Sequence, residues 1–132
     1  MKEERYEEDF KNGTEYFNYL TKANSIHNEG AYSQKFNDSL WIEVRLPHDW
    51  VTQLPFDKNA SHSHGYRAIG YKYPDNSVGW YRKQFFIGKE DEGKEIILQF
   101  DGIFRNATLW VKGFYMGTEQ SGYTTQVYDI TD

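Results

Sequence analysis

Hydrophobic and polar positions alternate with a period of two through the last third of the chain, from Gly79 to Asp132. In Trp80–Phe85, Tyr81, Lys83 and Phe85 fall on one face and Trp80, Arg82 and Gln84 on the other. Ile96, Leu98 and Phe100 share a face in the next segment, and Ala107, Leu109 and Val111 share one in the segment after it. Successive Cβ atoms point to opposite sides of a pleated strand, so this pattern predicts half-buried strands. They are expected near 79–87, 95–100, 107–112 (continuing through Gly113 to 114–116) and 123–128. An earlier strand, Trp41–Leu46, is expected to end at Pro47, which has no amide hydrogen to donate. Strands joined by Gly-containing connections predict an all-β, antiparallel β-sandwich.

The rest of the chain is less periodic. Residues 1–12 read as an acidic lead-in, and Thr14 is placed to cap a short helix. Asp57–Ser77 reads as a long loop, and loops beyond about 12–15 residues in a compact domain tend to carry function. It holds His62, His64, Tyr66, Arg67, Tyr71 and Tyr73. No internal repeat or low-complexity tract interrupts the chain.

Composition narrows the partners. The 132 residues predict one domain with a single core. A net charge of −5 speaks against nucleic acid, whose phosphates call for clustered Lys and Arg. No apolar run approaches the roughly 18–20 residues of a membrane-spanning helix, so no membrane partner is expected. The charged N-terminus has no apolar signal core; this leaves a cytoplasmic protein, or a secreted or periplasmic one whose leader was removed. With no cysteine, disulfides and thiolate chemistry are excluded. The 11 Tyr, 9 Phe and 4 Trp are expected to fill the core in the main, and those left at the surface near loops would suit the C–H faces of carbohydrate.

No set of residues declares a self-contained catalytic centre. Two carboxyl groups that work together on one bond must be held rigidly within several ångströms of each other. Most acidic residues here lie in solvated runs, while Asp49, Asp101 and Asp129 sit at turns or strand ends, where carboxylates accept backbone amides. His62-Ser63-His64 offers two imidazoles, fewer than the three or four ligands of a zinc site, so no metal and no cofactor are expected. Arg82, between aromatics on a strand, is expected to stack or to pair with Asp49 or Asp101.

Three motifs in order carry a resemblance. They are Trp41-Ile-Glu-Val-Arg-Leu-Pro-His-Asp-Trp50, then Gly79-Trp-Tyr-Arg-Lys-Gln-Phe85, then Phe100-Asp-Gly-Ile103. The last is followed by Ala107–Val111, Gly113, Gly117, Gly122-Tyr-Thr124 and Tyr128-Asp-Ile-Thr131. Over residues 36–132 this set resembles the N-terminal sugar-binding domain of glycoside hydrolase family 2, in its β-galactosidase-like branch. The resemblance implies a jelly-roll β-sandwich over 13–132, joined in a longer chain to an immunoglobulin-like domain and a catalytic (β/α)₈ barrel. Both catalytic carboxylates belong to that barrel, and no residue here matches their motifs. Pro47, Asp49, Trp50, Trp80, Tyr81, Arg82, Asp101, Gly102 and Gly113 match the family's structural motifs. The two loops comparable to those that approach the sugar in the family hold His62, His64, Tyr66 and Arg67, and Glu119, Gln120, Ser121 and Tyr123. Lys112 departs from the family's Asn, and Glu119 and Ser121 depart from its His and Gly, which opens the substrate preference.

The expected function is therefore to shape the pocket of a β-galactosidase-like glycosidase and stabilise its assembly, with carbohydrate as partner and oligomerisation left open. A stand-alone carbohydrate-binding module and a pure interaction domain remain the alternatives. The chain stops just after Asp-Ile-Thr, where the family usually supplies a closing strand. A sandwich lacking that strand is the corresponding expectation.

Overall fold

Two antiparallel ribbons carry the regular structure of the protein, seen in a computed structural model that describes residues 30–70 and 72–131. The lead-in 1–12, the helix expected near Thr14, and Tyr71 lie outside the described residues. The strands are β1 (Ile97–Phe100), β2 (Ala107–Val111), β3 (Phe114–Glu119) and β4 (Gln126–Asp129). β1 pairs with β4 so that Leu98 faces Tyr128 and Phe100 faces Gln126. β2 pairs with β3, from Ala107 opposite Glu119 to Val111 opposite Phe114. The class is all-β and antiparallel, as alternation predicted.

Each ribbon follows from its sequence. Along β1 the half-buried positions are Leu98 and Phe100, preceded by Ile96, the face that period two assigned to the interior. Ile130 is buried, and Phe100 meets the edge of Tyr128 at 6.4 Å. Lys112-Gly113 closes the β2–β3 hairpin with φ of 52° and 87°. Two positive φ angles in a two-residue turn match the right-handed twist of the flanking strands. A β-bulge follows between Leu109 and Trp110, where the register moves by one residue and leaves Met116 without a partner across the ladder.

Tertiary contacts divide the chain into two compact units, one containing Asn37–Tyr81, the other Tyr32–Phe36 with Arg82–Asp132. In the second, Arg82 donates to the Ser33 carbonyl at 2.8 Å and lies over the Phe36 ring, so the stacking expected of this cation is present. Tyr32 packs near Trp110, and Gln34 Nε2 donates to the Lys112 carbonyl. In the first unit, Ala60 and Ala68 are the buried apolar residues among the described ones of the 57–77 segment.

Two expected strands do not form. Residues 41–46 and 79–87 belong to no ladder among the described residues. Alternation states which way side chains would point, but a strand exists only where a neighbour supplies carbonyls and amides. Leu40, Ile42 and Leu46 are 94 %, 77 % and 77 % exposed, so these apolar side chains are uncovered, while Val44 is half-buried.

Candidate functional site

The 57–77 segment is more ordered than its sequence suggested. Asp57 begins it: its Oδ1 accepts the Asn59 amide at 2.8 Å and its Oδ2 accepts the Tyr73 hydroxyl at 2.7 Å. The backbone amide of Asn59, and then the Tyr73 hydroxyl, hold this carboxyl below its ordinary pKa, while the Tyr73 hydroxyl is raised by the same bond. Phe56 bridges to Arg67, and the Asp57 amide donates to the Tyr66 carbonyl. Ser61 caps the 3-10 turn His62–His64 through its hydroxyl, and Gly65 leaves that turn in the left-handed region.

This framework places the sequence-predicted residues differently. His62 and His64 are exposed on the turn, and His62 meets the edge of the Tyr66 ring at 5.5 Å. Tyr66 is exposed and holds a φ of 58°. Arg67 is tied to the scaffold: its Nη1 donates to the Leu54 carbonyl at 2.6 Å, and its guanidinium lies 3.9 Å over the Phe56 ring. His62, His64 and Tyr66 thus form a surface of ring faces and hydrogen-bonding groups. Among the described residues no cluster of three or more His, Cys, Asp or Glu could hold a metal ion.

The segment Trp41–Trp50 ends in a hydrogen-bonded node of the same unit. The Leu46–Pro47 peptide is cis. Asp49 accepts the Val51 amide at 2.9 Å and caps the 3-10 turn Trp50–Gln53. Trp50 is half-buried, donates its indole N–H to the Asn76 carbonyl at 3.0 Å, and meets the edge of the Tyr81 ring. The Gln53 amide nitrogen lies 3.1 Å from His48 Nε2, and His48 Nδ1 lies 2.7 Å from the Tyr81 hydroxyl. With Gln53 as donor, His48 carries its proton on Nδ1 and donates it to the Tyr81 oxygen. Burial, and then the Asp49 charge, raise the Tyr81 pKa. Trp80 is half-buried.

The second predicted loop leaves β3. Glu119 Oε1 accepts the Ser121 amide at 2.9 Å, the Ser121 hydroxyl accepts the Tyr123 amide, and the Gln120 carbonyl accepts the Asn106 amide. Tyr123 is exposed and meets the edge of the Phe104 ring. Asp101 accepts the Gln99 side-chain amide, and a Cβ on Gly102 would stand 3.3 Å from the Gly122 carbonyl. Asp129 accepts the Thr131 hydroxyl and amide, which lower its pKa. Of the isolated acids expected to accept backbone amides, Asp49 and Asp129 do so, as do Asp57 and Glu119, whereas the bond shown for Asp101 comes from the Gln99 side chain.

Residues that sequence reasoning missed lie beside this loop. A groove of about 280 Å³ is lined by the Gly117–Glu119 end of β3 and by residues 125–128. Gln126, only 5 % exposed, lines it; the Tyr128 hydroxyl donates to Gln126 Oε1 at 3.0 Å, while Gln126 Nε2 has no partner. Burial, followed by the charge of Glu119 and then Tyr115, raises the Tyr128 pKa. The signal that could have found Gln126 is its phase, since it shares the face of Tyr128 and Ile130 at a spacing of two.

No family model matches the chain. It is 34 % identical over 96 residues to the β-galactosidase BoGH2A of Bacteroides ovatus, a match covering 73 % of this chain and 11 % of that protein. It is likewise 34 % identical over 98 residues to a putative β-glucuronidase of Formosa agariphila, covering 74 % of this chain and 9 % of the relative. Among solved structures, a glycosyl hydrolase family 2 member from Bacteroides cellulosilyticus superimposes with a TM-score of 0.59 at 36 % identity, over 75 % of this chain and 12 % of its own. The chain belongs to glycoside hydrolase family 2. A β-glycosidase from Bacteroides vulgatus gives a TM-score of 0.64 at 29 % identity, over 76 % of this chain and 13 % of that one. This family 2 chain spans about a tenth of the length of the curated relatives it matches.

Proposed function

We propose that this chain is the N-terminal, jelly-roll sugar-binding domain of a β-galactosidase- or β-glucuronidase-like glycosidase. The carrying observation is the family 2 match confined to about a tenth of full-length glycosidases. The relatives carry both sugar names, so galactose and glucuronate are the two substrate classes to test. In the parent enzyme, retaining hydrolysis takes place on a barrel domain that supplies both carboxylates, next to an immunoglobulin-like domain. Here Asp49, Asp57, Glu119 and Asp129 each accept a backbone amide, which supports a supporting rather than a catalytic role for these four acids.

The exposed His62, His64 and Tyr66, together with Glu119, Gln120, Ser121 and Tyr123, are the residues we assign to the rim of the sugar pocket; Arg67 acts by holding its loop. Two assays test the reading. The chain alone does not turn over nitrophenyl β-galactoside or β-glucuronide, and turnover lost on mutating one of its own carboxylates overturns this. In the parent enzyme, Tyr66→Ala and Glu119→Ala change KM or kcat with little change in Tm. Kinetics untouched by both return the loops to scaffold.

A further inference from the structure

Five consecutive residues of the first unit offer a backbone edge that no part of the described chain takes up. Among the described residues, neither the amide nor the carbonyl of any residue from Ile42 to Leu46 has a hydrogen-bond partner. The run is bounded on both sides: the Trp41 amide donates to the Asp38 carbonyl at 2.8 Å, and Pro47 has no amide. Ile and Val favour strands, and a row of open amides and carbonyls is a template for another chain. Glu43 and Arg45 are exposed and make no ion pair among the described residues, while Ile42 and Leu46 leave apolar surface open beside them.

The order of the side chains selects what can add to this edge. Two copies can pair antiparallel about a twofold axis through Val44. On one face, that register sets Glu43 opposite the second copy's Arg45, and Arg45 opposite its Glu43. On the other face Ile42 meets Leu46, and Val44 meets its own counterpart on the axis. Opposite charges and apolar pairs directly across a ladder are both favourable. Trp41 then faces Pro47, so the two ends without an available amide meet each other. Neighbouring registers are worse. Centring on Glu43 brings two carboxylates face to face, centring on Arg45 brings two guanidiniums together, and like charges directly opposite are destabilising. A slip by one residue sets charged side chains against apolar ones.

We propose that Ile42–Leu46 is a self-association edge whose partner is the same segment of a second copy, paired antiparallel about Val44. The interface is isologous, with the same residues on both sides. It is independent of the function proposed above, because it needs neither sugar nor hydrolysis. Five residues a side fall well below the roughly 20–30 of a standard interface, so the dimer is weak, with Kd of about 0.1 mM.

The test is sedimentation of the full chain from about 10 µM to about 1 mM, with amide hydrogen exchange measured at both concentrations. The chain should dimerise across this range, and amides within 42–46 should gain protection at the higher concentration. Glu43→Arg and Arg45→Glu should each weaken the dimer about tenfold. An equimolar mixture of these two variants should pair as well as the original chain, because one copy then presents two positive groups and the other two negative. The double variant Glu43→Arg/Arg45→Glu should recover the dimer by itself. A chain that stays monomeric at about 1 mM overturns the proposal and leaves the edge to a strand of another kind. A dimer whose 42–46 amides stay unprotected, or whose strength ignores both single reversals, is held by another surface and overturns it equally. Loss in the single variants without recovery in the mixture or the double variant overturns the register. Should the reversed variants not fold, exchange in the unaltered chain decides alone.

Discussion

The Lys112-Gly113 turn offers a test that needs no ligand. A side chain in the left-handed region sets its Cβ against the carbonyl oxygen, at about 1–2 kcal/mol per residue; Asn escapes part of this. Lys112 stands at φ 52°, so Lys112→Asn should stabilise by about 0.5–1 kcal/mol. Gly113 stands at φ 87°, and a Cβ there meets only the Tyr32 carbonyl, at 4.0 Å. Gly113→Ala is thus sterically open, and its expected cost of about 1–2 kcal/mol is conformational alone. For 132 residues the unfolding entropy is about 0.28 kcal/mol per degree. The melting temperature should therefore rise by about 2–4 °C in the first variant and fall by about 4–7 °C in the second. The Gln34 bond to the Lys112 carbonyl is a backbone acceptance that both variants keep, so it does not confound the pair. Calorimetry on the two variants and on Lys112→Ala, expected to be near neutral, completes the series. A Lys112→Asn variant no more stable than the original, together with a neutral Gly113→Ala, would refute the turn argument.

Three further outcomes follow from contacts in the first unit. Gly79→Ala places a Cβ 2.8 Å from the Trp50 ring and should cost about 1–3 kcal/mol, read as a lower urea midpoint; an unchanged midpoint contradicts the packing. Trp50→Phe removes the indole bond to the Asn76 carbonyl and should cost about 1 kcal/mol in the same assay. The lowered pKa of Asp57 means that its stabilising contribution is complete above the ordinary carboxylate pKa and fades as pH falls through the lowered value. Asp57→Asn should flatten that acid limb in melts taken across pH, and an acid limb identical in both proteins would remove Asp57 from it.

β1 and β2 lie where period two put them, while β3 runs past the expected 114–116 to Glu119 and β4 starts later than the expected 123, at Gln126. Residues 41–46 and 79–87 show the limit of that reading: their alternation is as regular, yet pairing depends on a partner that local sequence does not name. The same limit hid the groove. Polar Gln126 next to apolar Val127 suggests the valine as the inward residue, but the register of β4 on β1 buries Gln126 and leaves Val127 58 % exposed. At the loops, residue types identified exposed rings at His62 and Tyr66, but not the role of Arg67, whose tie to Leu54 follows from the fold of the whole segment.

The bulge at Met116 makes the β2–β3 hairpin a joint between two halves that can change separately. On the turn side, Trp110 meets the Tyr115 ring; on the loop side, the hydroxyls of Thr108 and Thr118 lie 2.9 Å apart, near Glu119. A one-residue deletion elsewhere in β3 would reverse the faces of everything between it and the turn, whereas a deletion at Met116 merely restores a regular ladder. Relatives are thus expected to carry their single-residue length differences at this position. The polar half can then diversify under selection for different sugars while the aromatic half stays in place.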